Sequence, residues 1–268
     1  MKKLVVHAGR SKTGTSYLQS IFAKNAAQLK ARGVSYQAFG QKFGKKDDML
    51  FASNGGITSG NCVLPALAIC SPSLLRADIA AEDVIAEFKN ELSKIEEDIV
   101  LISSEFFERL NRQTAGFLKN IAKQIGRELE IVIYLRPQIQ AIQSIYAQGL
   151  KRHHETHSFD DFFAKFPYPA LDYFNWLEQL AEPVGADAIV VRPFLRNHFH
   201  GNSIASDFFK WSALQIGNID DFDLLSDIHV NPTPSPKELE LLRLSNVYKP
   251  PLWFPKLCFA SVFRHCRA

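Results

Sequence analysis

The chain has 268 residues, 46% of them hydrophobic and 12% aromatic, which is long for one domain, short for two and enough to bury a full core. A formal net charge of +3 excludes a nucleic-acid binder recognised by charge alone while leaving room for a local site for an anion. Four cysteines, Cys62, Cys70, Cys258 and Cys266, lack the C-x-x-C spacing of a zinc knuckle and the pattern of a disulfide scaffold, which fits a reducing, cytoplasmic location.

The first element expected is a short strand ending at Val5 and Val6. The apolar run Leu4 to Val6 is far too short for a signal-peptide core and leads straight into a glycine-containing loop, "HAGRSKTGTS". Leu18, Ile21, Phe22, Ala26 and Leu29 then repeat at helical spacing until Gly33 stops the helix. Residues from about 40 to 78 break the alternation: "SNGGITSGN" is turn chemistry, and Pro65 and Pro72 interrupt the apolar stretch that follows. Such a long irregular insertion in a compact domain is a place for acceptor contacts.

A helix from about Glu82 feeds the strand "IVLIS", and a helix carrying Phe117, Leu118, Ile121 and Ile125 feeds "EIVIYL". The second strand has the continuous β-branched character of one buried on both faces. Helices from Gln138 to about Lys151 and around Asp172 to Leu180 precede a strand at "AIVVR", and the C-terminal third is helical. Ser235, Pro236 and Glu238 form a capping box that opens a helical extension over about 235–268. The pattern predicts a single α/β domain over residues 1–268, with a mostly parallel sheet covered by helices on both faces. No run approaches the ~18 apolar residues of a membrane span. The aromatic tail "PPLWFPKLCFASVF" either lies on a membrane surface or docks on the body.

The first loop carries the chemistry. Gly9 and Gly14 are separated by four residues, as in a phosphate-binding loop, but Thr15 stands where the triphosphatase pattern has lysine, and Lys12 precedes Gly14 by two. Backbone N–H groups at the start of the following helix make an anion site, with Thr13, Thr15 and Ser16 adding hydroxyl donors. Lys12 projects from inside the loop and would meet the middle of a phosphate chain. Arg136 closes a buried strand, where open α/β sheets bind ligands, and Ser144 follows two turns into the next helix. A guanidinium fork with a hydroxyl suits a phosphate monoester, although a helix-end ion pair and a surface serine would read the same way.

The sequence resembles the sulfotransferases that use 3′-phosphoadenosine 5′-phosphosulfate, particularly bacterial and carbohydrate-type members. The match lies in "HAGRSKTGTSYLQ" and in "YLRPQIQAIQSIYAQ", and it covers the sheet core from about Lys2 to Arg192. The resemblance implies a P-loop-type fold, with Arg10, Ser11, Lys12, Thr13, Gly14, Thr15 and Ser16 around the 5′ end of the nucleotide. It implies Arg136 and Ser144 on the 3′-phosphate, and no metal. Ser11 stands where the family often has proline, and the glycine-rich segment of the soluble small-molecule members is missing. The family's base stands after the first helical crossover, which puts Glu105 in that role. Glu105 also fits a helix-start carboxylate behind the caps Ser103 and Ser104. His7 is a second base candidate, or a packed histidine at a strand end.

The acceptor would be a small molecule or glycan carrying a hydroxyl or amine. The rival readings are a kinase or nucleotidase using Ser16 and Glu105 around magnesium, and a nucleotide-binding protein without turnover. "RHHETH" misses the zincin spacing by one residue, and no metal is assigned to it.

Overall fold

A computed structural model describes residues 1–9, 12–43, 49–224 and 234–248. The chain divides into two compact units, a larger one of residues 1–135 and 173–228 and a smaller one of residues 136–172 and 229–268. The strands are β1 (Lys3–Ala8), β2 (Val34–Ser35), β3 (Ile99–Ser104), β4 (Glu128–Leu135) and β5 (Ile189–Pro193). The helices begin with α1 (Thr15–Lys24), α2 (Ala26–Ala31), α3 (Met49–Ser53), α4 (Val63–Cys70), α5 (Ala81–Ser93) and α6 (Arg112–Gln124). They continue with α7 (Gln138–Arg152), α8 (Phe159–Ala164), α9 (Tyr173–Val184), α10 (Ile204–Trp211) and α11 (Pro236–Tyr248).

The larger unit is built on one five-stranded sheet, parallel at every pairing, in the order β2-β3-β1-β4-β5. Alternation along the strands sends Val6, Ile102 and Ile131 to one face, under α4, α5, α6 and α9 through Ala66, Phe88, Leu118 and Leu180. Val5, Leu101 and Val132 point the other way, into Phe22 of α1 and Phe208 and Phe209 of α10. This is the expected α/β architecture with helices on both faces. From β1 the chain turns toward one edge of the sheet, and from β4 toward the other. The carboxyl end of central β1 therefore lies where the connections change direction, the region in which open α/β sheets place ligands.

Three local features differ from the sequence expectation. The first long helix breaks at Asn25, which is fully buried. Its Nδ2 donates to Ile21 O at 2.8 Å and to Asp223 O at 2.9 Å, and its Oδ1 accepts from Asp223 N at 2.8 Å. A side chain bonding back to the carbonyl four residues earlier competes with the helix ladder, and α2 restarts beyond it. The segment from 40 to 78, expected to be irregular, contains α4. Pro65 fits there because it stands in the first helical turn, where its missing N–H has no intrahelical partner to lose. Strand β2 was not foreseen, since two residues carry no periodicity.

In the smaller unit, Tyr146 and Leu150 of α7 pack with Leu242 of α11 and with Phe159 and Phe162 of α8. The expected capping box at the start of α11 is present, with Ser235 N donating to Glu238 Oε2 at 2.7 Å and Glu238 N to Ser235 Oγ at 3.4 Å. Ser158 caps α8, accepting from Asp161 N. The tail from residue 249 onward lies outside the described residues. Among those that are described, no helix is long and apolar enough to cross a membrane.

The base of the sheet is fastened by Arg127, only 5% exposed. Its Nη1 donates to Glu97 O at 2.8 Å and Asp98 O at 3.0 Å, and its Nη2 donates to Ile95 O at 2.7 Å. Arg127→Ala would leave these carbonyls without their charged donor and should lower the unfolding free energy by about 2–4 kcal/mol in chemical denaturation. A loss below about 0.5 kcal/mol would mean that water replaces the guanidinium there.

Candidate functional site

The loop between β1 and α1 has an unusual backbone. Lys12 has φ of 69° and Gly14 has φ of 75°, while Thr13 between them is not left-handed. Alternation of this kind turns successive N–H groups toward one side, as in an anion-binding nest. A lysine at positive φ is uncommon and is held there only by its surroundings. The nest opens directly onto α1, whose N-cap is Gly14. No side chain caps that helix, and no acidic residue stands in its first turn. The positive end of the helix dipole is therefore not offset by a carboxylate within the first turn of α1.

Two glycines make this geometry possible. A methyl group on Gly9 would stand 2.3 Å from Thr15 Cγ2, so Thr15 can fold over the loop only because residue 9 has no Cβ. A methyl on Gly14 would stand 3.0 Å from Phe194 Cε2 and 3.2 Å from Ile204 Cδ1, so the loop is backed by side chains following β5 and opening α10. Thr13 and Thr15 are buried, whereas Lys12 and Ser16 are half-exposed. Arg10 and Ser11, also assigned to the nucleotide, lie outside the described residues.

Glu105 stands beside this loop. Ser104 pairs with Ala8 across the sheet, and Gly9 N donates to Ser104 O at 3.4 Å. Glu105 opens a short 3-10 turn, Glu105–Arg109, that is capped by Ser104 Oγ accepting from Phe106 N at 3.2 Å. Its helix-start position is thus as anticipated, and its side chain is half-exposed, with access to solvent.

His7 is placed differently. The ring is fully buried, edge-on to Phe22 and Phe208 at centroid distances of 6.1 and 5.3 Å. Its Nδ1 lies 2.9 Å from Ser103 Oγ, which also accepts from Gln19 Nε2 at 3.1 Å. Burial pushes the imidazole down to about 3 from its ordinary 6.5, so it is neutral near pH 7. A base must reach the proton it removes, directly or through one water. A ring walled in by two phenylalanines lacks that reach, which leaves Glu105 as the base candidate with access.

Asn61 is a residue that sequence reasoning missed. It is 4% exposed and occupies the place where β2 stops pairing with β3. Its Nδ2 donates to Gln37 O at 2.8 Å and Leu101 O at 3.1 Å, and its Oδ1 accepts from Ser103 N at 2.8 Å. One amide thus completes the ladder that a longer β2 would have supplied. Next to it, Gly60 has φ of 103°, and a methyl there would stand 2.0 Å from Ser103 O. The turn-rich segment is thereby pressed onto the carboxyl end of β3, and Glu105 N donates to Ser59 O at 3.3 Å. The sequence signal was "SGN", legible as a turn but not as a sheet extension.

Arg136 and Ser144 belong to the smaller unit. Arg136 precedes Pro137, the N-cap of α7, and Ser144 is buried within that helix. In the same unit, the histidine-rich stretch after α7 is organised by Glu155, whose Oε1 accepts from Thr156 N and His157 N and lies 2.7 Å from His157 Nδ1.

The histidine yields a pH prediction. The unfolded chain binds a proton at His7 as pH falls below 6.5, but the native state does not do so until about pH 3. Native stability should therefore decline as pH falls through that window, by up to ~1.4 kcal/mol per pH unit from this group. His7→Gln should flatten the dependence of denaturation midpoint on pH between 6 and 4 relative to the parent. An unchanged slope would assign the acid sensitivity elsewhere.

Comparison with protein-family models, with curated proteins and with solved structures returns no match.

Proposed function

We propose that the chain is a sulfotransferase that moves a sulfuryl group from 3′-phosphoadenosine 5′-phosphosulfate to a hydroxyl or amine of a small molecule or glycan. The observation that carries this reading is the left-handed turn at Lys12 and Gly14, opening onto an α1 terminus without side-chain cap or acid. Such a terminus offers N–H donors to a phosphate, and a lysine inside the turn reaches the bridge of a phosphate–sulfate anhydride rather than a terminal phosphate. The supporting residues are Glu105 beside the loop and, from the sequence resemblance, Arg136 and Ser144 for the 3′-phosphate.

The acceptor oxygen or nitrogen attacks sulfur, the bond from sulfur to the bridging oxygen breaks, and adenosine 3′,5′-bisphosphate leaves with the additional negative charge. Lys12 and the loop N–H groups answer that charge as it develops. The acceptor proton passes to the Glu105 carboxylate. Residues 58–62, pressed against β3 beside Glu105, stand on the acceptor side. The cytoplasm is the location this reading favours.

Adenosine 3′,5′-bisphosphate should raise the melting temperature without magnesium, with a stabilisation of about 2.7 kcal/mol at a hundred times the dissociation constant. Strong stabilisation by ATP with magnesium and none by the bisphosphate would replace this reading with a kinase. With an acceptor in hand, Glu105→Gln should keep bisphosphate affinity and the fold while turnover falls by ~10²–10⁴. A rate close to the parent's would return Glu105 to a helix-start carboxylate worth only ~0.3–1 kcal/mol to stability.

A further inference from the structure

The fully buried carboxylate of Asp207, in the first turn of α10, is claimed by three separate elements of the larger unit. Arg192 of β5 holds it with two bonds, Nε to Oδ2 at 3.0 Å and Nη2 to Oδ1 at 2.8 Å. Tyr134 of β4 donates its hydroxyl to Oδ2 at 2.9 Å, and His200 N donates to Oδ1 at 2.9 Å. A two-pronged guanidinium contact fixes direction as well as distance. The carboxylate accepts from donors on two strands and a turn, so α10 has one rotational setting against the sheet.

That setting bears on the loop. Ile204 opens α10 one turn ahead of Asp207, and it is Ile204 and Phe194 that back Gly14. Phe194 is in turn fixed by its N–H donating to Leu135 O at 2.7 Å and by its ring against Phe199, at a centroid distance of 5.6 Å. Phe199 lies edge-on to Tyr134, the same ring that donates to Asp207. A contiguous path of side chains therefore links the carboxylate to the glycine whose φ points the N–H groups.

The geometry points to Asp207, with Arg192 and Tyr134, as a positioning knot that holds residues 12–16 in their anion-binding conformation. The role rests on the reading of those residues as an anion loop. Because binding and loop order are linked, an anion that orders the loop draws on the same contacts.

Hydrogen exchange on the unliganded chain tests the knot without a ligand. Asp207→Asn should accelerate exchange at the amides of residues 13–16 about tenfold or more, and the milder Tyr134→Phe should do so to a smaller extent. Leu118→Ala, in the core under α6 on the opposite face of the sheet, serves as the destabilised control and should leave those amides at the parent rate. A parallel titration with inorganic pyrophosphate should show affinity about tenfold weaker in Asp207→Asn and unchanged in the control. Unaltered loop amides in both knot variants, equal acceleration in the control, or an accelerated loop with unweakened pyrophosphate affinity would each overturn the role. A parent chain that binds no pyrophosphate would overturn the anion reading, while the exchange rates alone would still decide whether the knot holds the loop.

Discussion

Two residues at positive φ, Lys12 and Gly14, set the direction of the backbone N–H groups ahead of α1, and the chemistry proposed for the larger unit depends on that direction. Glycine adopts such a backbone without cost, whereas lysine does not. Thr15 closes over Gly9 on one side of the lysine, and Phe194 and Ile204 back Gly14 on the other. An ordinary helix start would have had Ser, Asp or Asn as N-cap, with its side chain satisfying the first N–H groups. Here glycine stands in that place, and no side chain caps the helix from the N-cap position. On the proposed reading, a multiply charged anion is the ligand class that such a helix start would take.

The same interplay of backbone and burial separates the two base candidates. His7 and Glu105 stand at the carboxyl ends of adjacent strands, but the strand pleat sends His7 inward to Phe22 and Phe208. Glu105 lies past the end of β3, where the pleat no longer dictates direction and a 3-10 turn carries it toward solvent. Asn61 makes this end of the sheet possible. With β2 only two residues long, Ser103 N and Leu101 O would lack these partners without its amide, and the turn that lies against Glu105 would lose part of its anchorage to β3.

Much of the architecture was legible from periodicity. The β-branched run at β4, the helical repeats of α5 and α6, and the capping box at Ser235 and Glu238 each encode their element locally. The break at Asn25 was not legible, because the bonds to Asp223 that help to hold its side chain against the ladder come from far along the chain. Nor was α4, since Pro65 is a breaker or a first-turn residue depending on where the helix begins. At the site, the loop's glycines and lysine were visible as a motif, and the position of Glu105 followed from the end of β3. The burial of His7, the bridging by Asn61 and the Asp207 knot depend on which distant side chains arrive, and no local pattern carries that information.

The crystal structure of the complex with adenosine 3′,5′-bisphosphate bears most directly on the loop's role. The 5′-phosphate should lie within hydrogen-bond distance of the backbone N–H groups of residues 13–16, with the Lys12 ammonium against its oxygens. A nucleotide bound elsewhere on the chain, with those N–H groups and Lys12 making no contact to it, would contradict the assignment of this loop as the anion site.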